Sequence, residues 1–243
     1  MTFGDFKTMV AAFLQRDATT FVYGSFDWLS HAVNMARKAS ERQRDFEMCR
    51  TRAQITLAGL TVATPLSGAK LVDSPSTSVS VKVIKKAWVT DAGATLDYPI
   101  RVISREAFVG MASRTFADHT FTRAATIQAY TENPTTAPML VREADDVYLT
   151  PANVEAYGSA TPTVKMDIIK WLPDYSAAGD TDFLLTHCVE YMLFKTVSLL
   201  QPFLKEDIRV PLALEQLKMA WRSVVAYDSQ LVSAASSVDP YVE

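Results

Sequence analysis

The sequence predicts an α+β protein: an α-helical bundle formed by N- and C-terminal helices, with a β-rich, sandwich- or barrel-like domain inserted between them. Residues 1–54 and 173–243 are assigned to the bundle and residues 55–172 to the insertion. Three observations carry this reading. Apolar residues recur every three or four positions at both ends of the chain, the period of a helix with one buried face. In the middle they alternate every second position, the period of a half-buried strand. Pro, Gly and Ser also cut the middle into short segments, as hairpins require.

Taken in order, residues 2–16 read as a helix whose buried face is Phe3, Phe6, Met9, Val10, Phe13 and Leu14. Thr2 with Asp5 three positions on has the form of a capping box, in which each side chain satisfies the other residue's amide. Asp17 and the β-prone run Thr19–Tyr23 form a loop, after which Gly24-Ser25 opens a second helix reaching about Arg52. Its buried stripe is Trp28, Leu29, Ala32, Val33, Ala36, Ala39 and Phe46, and the small residues there let another helix approach. From Ala53 the period changes. Gln54–Ala58 and Ser78–Ile84 read as strands around a loop holding Pro65, Gly68 and Pro75. Trp88-Val89, a turn at Asp91-Ala92-Gly93, and Tyr98–Ile103 continue the strand region, and Ser104 caps a short helix at Glu106–Val109. Ala125–Tyr130, Met139–Arg142, Val147–Leu149 and Thr163–Trp171 are the remaining strands.

Pro173 closes the β-rich part, and Gly179-Asp180-Thr181 supplies a turn and caps. Phe183, Leu184, Cys188, Val189, Met192, Leu193, Thr196, Leu199 and Leu200 make one helix stripe, ended by Pro202. A last helix runs from about Pro211 to Val232, with Leu214, Leu217, Trp221, Val224, Val225 and Leu231 inward. Pro211 suits its first turn. Residues from Ser233 to Glu243 are rich in Ser and Ala and are expected to be flexible.

The 243 residues are 49% hydrophobic and 21% charged, with a formal charge of -3. That balance argues against general coating of nucleic acid, which needs a clear cationic excess. The charge is uneven: residues 1–54 hold eight Lys/Arg against six Asp/Glu, and residues 171–243 hold five against ten. The two ends are therefore expected to pack together or to meet in neighbouring subunits. Cys49 and Cys188 lie in apolar helical patterns and read as buried free thiols. The start is not basic and no long apolar run follows, so neither a signal peptide nor a membrane span is expected, and folding in a reducing cytoplasm is.

Little points to catalysis. The glycines are scattered singly, which excludes the closely spaced set that lets backbone amides cradle a phosphate. His31, His119 and His187 are far apart, and His187 and Cys188 point about 100° apart on a helix, so no metal and no cofactor is expected. Asp145-Asp146 reads as a turn, and Asp180 and Asp182 as caps at a helix start, where negative charge is favoured. Arg37, Lys38, Arg42, Arg44, Arg50 and Arg52 crowd the end of the second helix, against Glu41, Asp45 and Glu47. They suit a solvated face, a contact with acidic partner helices, or passing DNA phosphates. Lys85-Lys86 followed by Trp88 has the look of a nucleic-acid patch, but one aromatic is too few for a stacking platform.

The layout resembles the head-to-tail connector (adaptor) proteins of tailed bacteriophages. The residues that carry the resemblance are Phe26-Asp27-Trp28-Leu29 before Ala32–Arg37, then the charged stretch Glu41–Glu47 leading into the β insert. Towards the end they are Trp171-Leu172-Pro173-Asp174-Tyr175, Asp180–Leu185, Glu190-Tyr191-Met192, and the corner Leu204-Lys205-Glu206-Asp207-Ile208-Arg209 before a helix with Trp221 and Asp228. The β insert is longer than in the smallest adaptors. The resemblance implies a virion structural protein without catalysis, joining the portal of the phage head to the tail. It implies a closed homo-oligomeric ring, a dodecamer, that binds the portal and a downstream neck or tail protein. DNA would pass through it without sequence-specific contact. Subunit or portal contacts then fall to Arg37, Arg42, Arg44 and Arg50, and to Pro240 and Tyr241 in the last residues. An alternative makes the β-rich middle a carbohydrate- or receptor-binding module, with Tyr130, Tyr148 and Tyr157 as a sugar-stacking surface. An enzyme would need His119 paired with a carboxylate in a pocket.

Overall fold

The structure, a computed structural model, describes residues 1–59, 62–90, 97–107, 139–150, 161–204 and 207–236. It is an α+β protein that divides into two compact units, Met1–Met48 with Pro173–Glu243, and Cys49–Leu172.

The first unit is helical. α1 (Phe3–Phe13) starts from a complete capping box, with the Thr2 hydroxyl accepting from the Asp5 amide at 3.2 Å. It ends in a left-handed turn at Gln15, φ 49°. There the Gln15 amide donates to the Ala12 carbonyl and the Arg16 amide to that of Ala11, both at 3.0 Å, so the last carbonyls are satisfied. The second helix is shorter than its apolar pattern suggests. Val22–Tyr23 (β1) and Phe26–Asp27 (β2) form a hairpin around Gly24, whose φ of +62° suits a glycine. α2 (Trp28–Gln43) then begins at Asp27, whose carboxylate accepts the Ser30 amide at 3.0 Å. It stops at Arg44, which is extended, with φ −150° and ψ 146°. The physical reason is Asp228, which accepts both the Arg44 guanidinium at 2.6 Å and the Glu47 amide at 2.8 Å. Those bonds replace another helical turn.

The long stripe from Phe183 to Leu200 is also two helices, α3 (Phe183–His187) and α4 (Val189–Leu199), broken at Cys188 (φ −123°, ψ 31°). α5 (Arg209–Ser236) carries Pro211 in its first turn. Its buried residues Val210, Ala213, Ala220, Val224 and Asp228 leave Leu214 exposed rather than inward. α4 packs against α1, α2 and α5. Around it the aromatic rings interlock: Phe46 meets Phe183 at 5.0 Å and Tyr191 meets Trp221 at 5.0 Å.

The second unit is built on one curled sheet. In chain order its strands are β3 (Arg50–Thr56), β4 (Thr64–Pro65), β5 (Lys70–Leu71), β6 (Val81–Thr90), β7 (Asp97–Ser104), β8 (Met139–Glu143), β9 (Asp146–Thr150) and β10 (Thr163–Lys170). Among the described residues they join in the order β4-β9-β8-β7-β6-β10-β3-β5. Every pairing is antiparallel except β7 with β8. One face of the central strands carries Ala53, Ile55, Ala87, Val89, Val164 and Met166, which pack with Leu140, Val147 and Leu149 from the other half of the sheet. Two bulges make this curl. Along β6 the partners of β10 skip Lys85 and then Lys82, so β6 has two extra residues and bends. The expected turn at Asp91-Ala92-Gly93 and strand at Ala125–Tyr130 lie outside the described residues.

Candidate functional site

The basic residues expected at one helix end are dispersed. Arg37 is only 1% exposed. Its guanidinium donates to Glu41 at 2.8 Å and to Asp174, and lies over the Tyr175 ring at 5.7 Å from its centre. Arg44 is held by Asp228 and by the Ser229 hydroxyl at 3.1 Å. Arg50 and Arg52 are in β3, not in a helix, and Arg50 grips Asp167 with its Nε 2.9 Å from both oxygens. Lys38 and Arg42 are the members of that set exposed on α2, and Lys38 donates to Asp174 at 2.7 Å. Arg37 and Arg44 thus pair with acids of their own unit rather than lying on a solvated face. Arg37–Asp174 and Arg44–Asp228 join residues from the two ends of the chain. Pro240 and Tyr241 lie outside the described residues.

The other singled-out groups have structural partners. Asp180 accepts the amides of Ala177 at 2.8 Å and Ser176 at 2.6 Å, and these bonds hold its carboxyl below the usual range. Asp182 caps α3 through the Leu185 amide at 3.1 Å and accepts the Tyr175 hydroxyl at 2.5 Å. Burial first, then the charge of Asp182, pushes the Tyr175 hydroxyl's pKa up. His187 stacks on Tyr227 at 5.2 Å. Both cysteines are buried and outside any disulfide, and burial, with Asp182 and Asp228 nearby, raises the Cys188 pKa to about 11. Among the described residues no group of three or more His, Cys, Asp or Glu could hold a metal. Tyr148 is buried in β9, so it cannot offer a face to a sugar, and Tyr130, Tyr157 and His119 lie outside the described residues.

Two surfaces remain, one in each unit. In the helical unit the hairpin exposes Tyr23 (85%) and Phe26. Trp28 packs edge-on against Phe26 and tilted against Phe203, each at 4.6 Å between ring centres. The turn Gln201–Phe203 also supplies Pro202 to a depression of about 820 Å³ lined by Leu204, Ile208, Val210, Pro211 and Leu214. Ile208 is 84% exposed at its rim. Three described residues of the corner 204–209 have clear roles. Leu204 is buried, and Asp207 caps α5 by accepting the Arg209 amide at 3.0 Å. Arg209 donates to the Leu14 carbonyl and, at 2.7 Å, to Gln15 Oε1, closing the end of α1. With both flanks anchored, Ile208 is turned to solvent. The sequence reading marked this corner only through a resemblance, and missed the hairpin, although β-prone pairs on either side of Gly24-Ser25 are a hairpin signal.

In the sheet unit the surface is a fork. β6 and β7 pair from Thr90↔Asp97 to Ala87↔Ile100 and then part, because β6 bends with β10 while β7 continues beside β8. The cleft between them, about 720 Å³, is lined by Lys85, Lys86, Trp88, Arg101, Glu106 and Arg142 among others. Arg142 braces it, donating to the Lys82 carbonyl at 2.8 Å and to that of Ala144 at 3.0 Å.

No family model matches the sequence, and no curated protein matches it either. No helix among the described residues is long and apolar enough to cross a membrane.

Proposed function

We propose that the chain is a virion structural subunit: a head-to-tail adaptor whose copies close into a ring, a dodecamer, between the portal of a phage head and the neck or tail below. In this reading the helices of the first unit form a bundle that makes the subunit and portal contacts, and the β insert extends from it. What supports the reading is the apolar surface of the helical unit, where Tyr23, Phe26, Phe203, Ile208 and Leu212 are exposed together with the depression beside them. A chain does not gain by leaving large apolar side chains in water, and contiguous exposed ones mark a surface that a partner covers. That surface includes Ile208, in one of the segments that carry the resemblance to adaptors.

A ring subunit has to meet its neighbour through two different patches, since only such contacts close around an axis of more than two copies. Light scattering and negative-stain electron microscopy of the purified chain, alone and mixed with the portal of the same phage, test the proposal. Ring-shaped particles, free or seated on the portal, are the expected result. A chain that stays monomeric at high concentration and leaves the portal bare would sink it.

A further inference from the structure

We infer that the exposed face of the central sheet, across β3, β10, β6 and β7, binds the phosphate backbone of duplex DNA without reading its bases. The inference deepens the proposed function, since it says which face of a ring subunit would meet the passing DNA, and it rests on that reading for its setting only.

The register places the residues. Arg52 on β3 is opposite Asp167 on β10, and Asp167 is opposite Lys86 on β6. Arg101 on β7 is one position beyond the last paired residues, Ala87 and Ile100, and so faces Lys86 where the strands part. Alternation gives the side: Ala53, Met166, Ala87 and Ile100 are buried, whereas Arg52, Lys86 and Arg101 are exposed. The row therefore reads Arg52, Asp167, Lys86, Arg101 across four neighbouring strands. Its single carboxylate is already engaged by Arg50. Lys85, in the bulge, and Lys165, opposite Trp88, stand beside the row. Glu106 is the carboxylate that lines the cleft.

Lys86 and Arg101 stand on opposite sides of the cleft that opens where the strands part, and among the described residues neither has an ion-pair partner. An anion seated in the cleft is attracted by both. Paired strands are about 4.8 Å apart, so Arg52 and Lys86 are separated by about 10 Å, with Arg101 beyond them across the cleft, a reach that suits two or three backbone phosphates. The row also crosses the strands. A peptide adding to a strand edge would run along them instead. Trp88 is half-buried between its neighbours on the sheet, so the contact is with phosphates rather than a stacked base. A chain of formal charge -3 with one such face binds DNA weakly and locally, as transit requires.

The test is fluorescence anisotropy of a labelled 30-base-pair duplex of random sequence with the full chain, over about 50 to 200 mM salt. A triple variant, Arg52→Gln, Lys86→Gln and Arg101→Gln, is compared with a control of equal charge, Arg16→Gln, Lys218→Gln and Arg222→Gln. All six side chains are exposed, so both variants should melt like the native chain. The native chain and the control should bind with a log–log salt slope near −2 to −3, at about 0.9 per phosphate contact. The triple variant should lose about tenfold in affinity and most of that slope. Equal binding by both variants overturns the inference, as does capture of an oligoglutamate peptide in place of DNA. Because the assay uses unassembled chain, a negative result leaves ring formation standing, and failure to form rings leaves the DNA face testable.

Discussion

At the scale of single residues, the arginines of α2 differ more than their shared charge suggests. Arg37 and Glu41 are buried as an ion pair one helical turn apart, with Asp174 completing the set. Removing one member of such a pair leaves a charge in a poorly solvated place without its partner, which costs about 3–5 kcal/mol. Arg37→Ala should therefore lower the unfolding free energy by about that amount. Arg42→Ala, five positions on and exposed, should change it by no more than about 0.5 kcal/mol. Urea titration of the two variants checks this, and equal effects would refute the assignment. Nothing in the sequence separates the two residues: both follow the pattern of a charged helix face, and what distinguishes Arg37 is Asp174, more than a hundred residues away.

At the scale of elements, local signals were legible and long-range ones were not. The Thr2–Asp5 box was readable because a capping box is set by residues three apart. The end of α2 was not, because Asp228 on α5 terminates it. The same distinction governs the end of α1, where the Leu14 carbonyl accepts from Arg209 at the start of α5. Arg209→Ala should cost about 1–2 kcal/mol, since it removes charge-assisted bonds at a helix C-terminus where a cation is favoured. Thermal melts read this, with Arg209→Lys expected to recover part of the loss. The caps also set an acid limit. Hydrogen bonds from Ser30 and Lys7 outweigh burial at Asp27, the Lys38 ammonium leads at Asp174, and the Ala177 and Ser176 amides act at Asp180. Each carboxyl is held lower in the folded chain than in the unfolded one. Their contribution is then complete above the unfolded value, about 4, and is lost as pH falls through the folded values. Melting temperature should be flat from about pH 8 to 5 and drop below about pH 4. A curve that stays level to pH 2 would remove these caps from the account.

At the scale of the whole molecule, the α+β composition followed from two periods, 3.6 and 2, that the sequence displays directly. The order of strands did not follow, because alternation says which face a residue takes and nothing about its neighbour. The parallel pairing of β7 with β8 and the bulges at Lys85 and Lys82 that bend β6 depend on partners distant in the sequence. Exposed apolar residues were hidden for a related reason: periodicity puts Leu214 inward and leaves Leu212, Ile208 and Phe203 outside any stripe, and only the packed helices show that all four are exposed. Ile208 is the sharpest case. Leu204 and Arg209 fix the chain on either side of it, so its exposure is imposed by the fold rather than by a loose terminus. A glutamate there should leave the monomer's stability within about 0.5 kcal/mol, because the side chain contributes little to the fold. In an assembly whose contacts bury this rim, the same change should cost at least about 2 kcal/mol per interface, as truncation of an apolar anchor does. That weakens each contact about 30-fold. Sedimentation velocity of Ile208→Glu should then show monomers at concentrations where the native chain forms rings, with the melting temperature unmoved. Unimpaired ring formation by Ile208→Glu would mean that the copies meet elsewhere, and that the apolar rim serves a different partner.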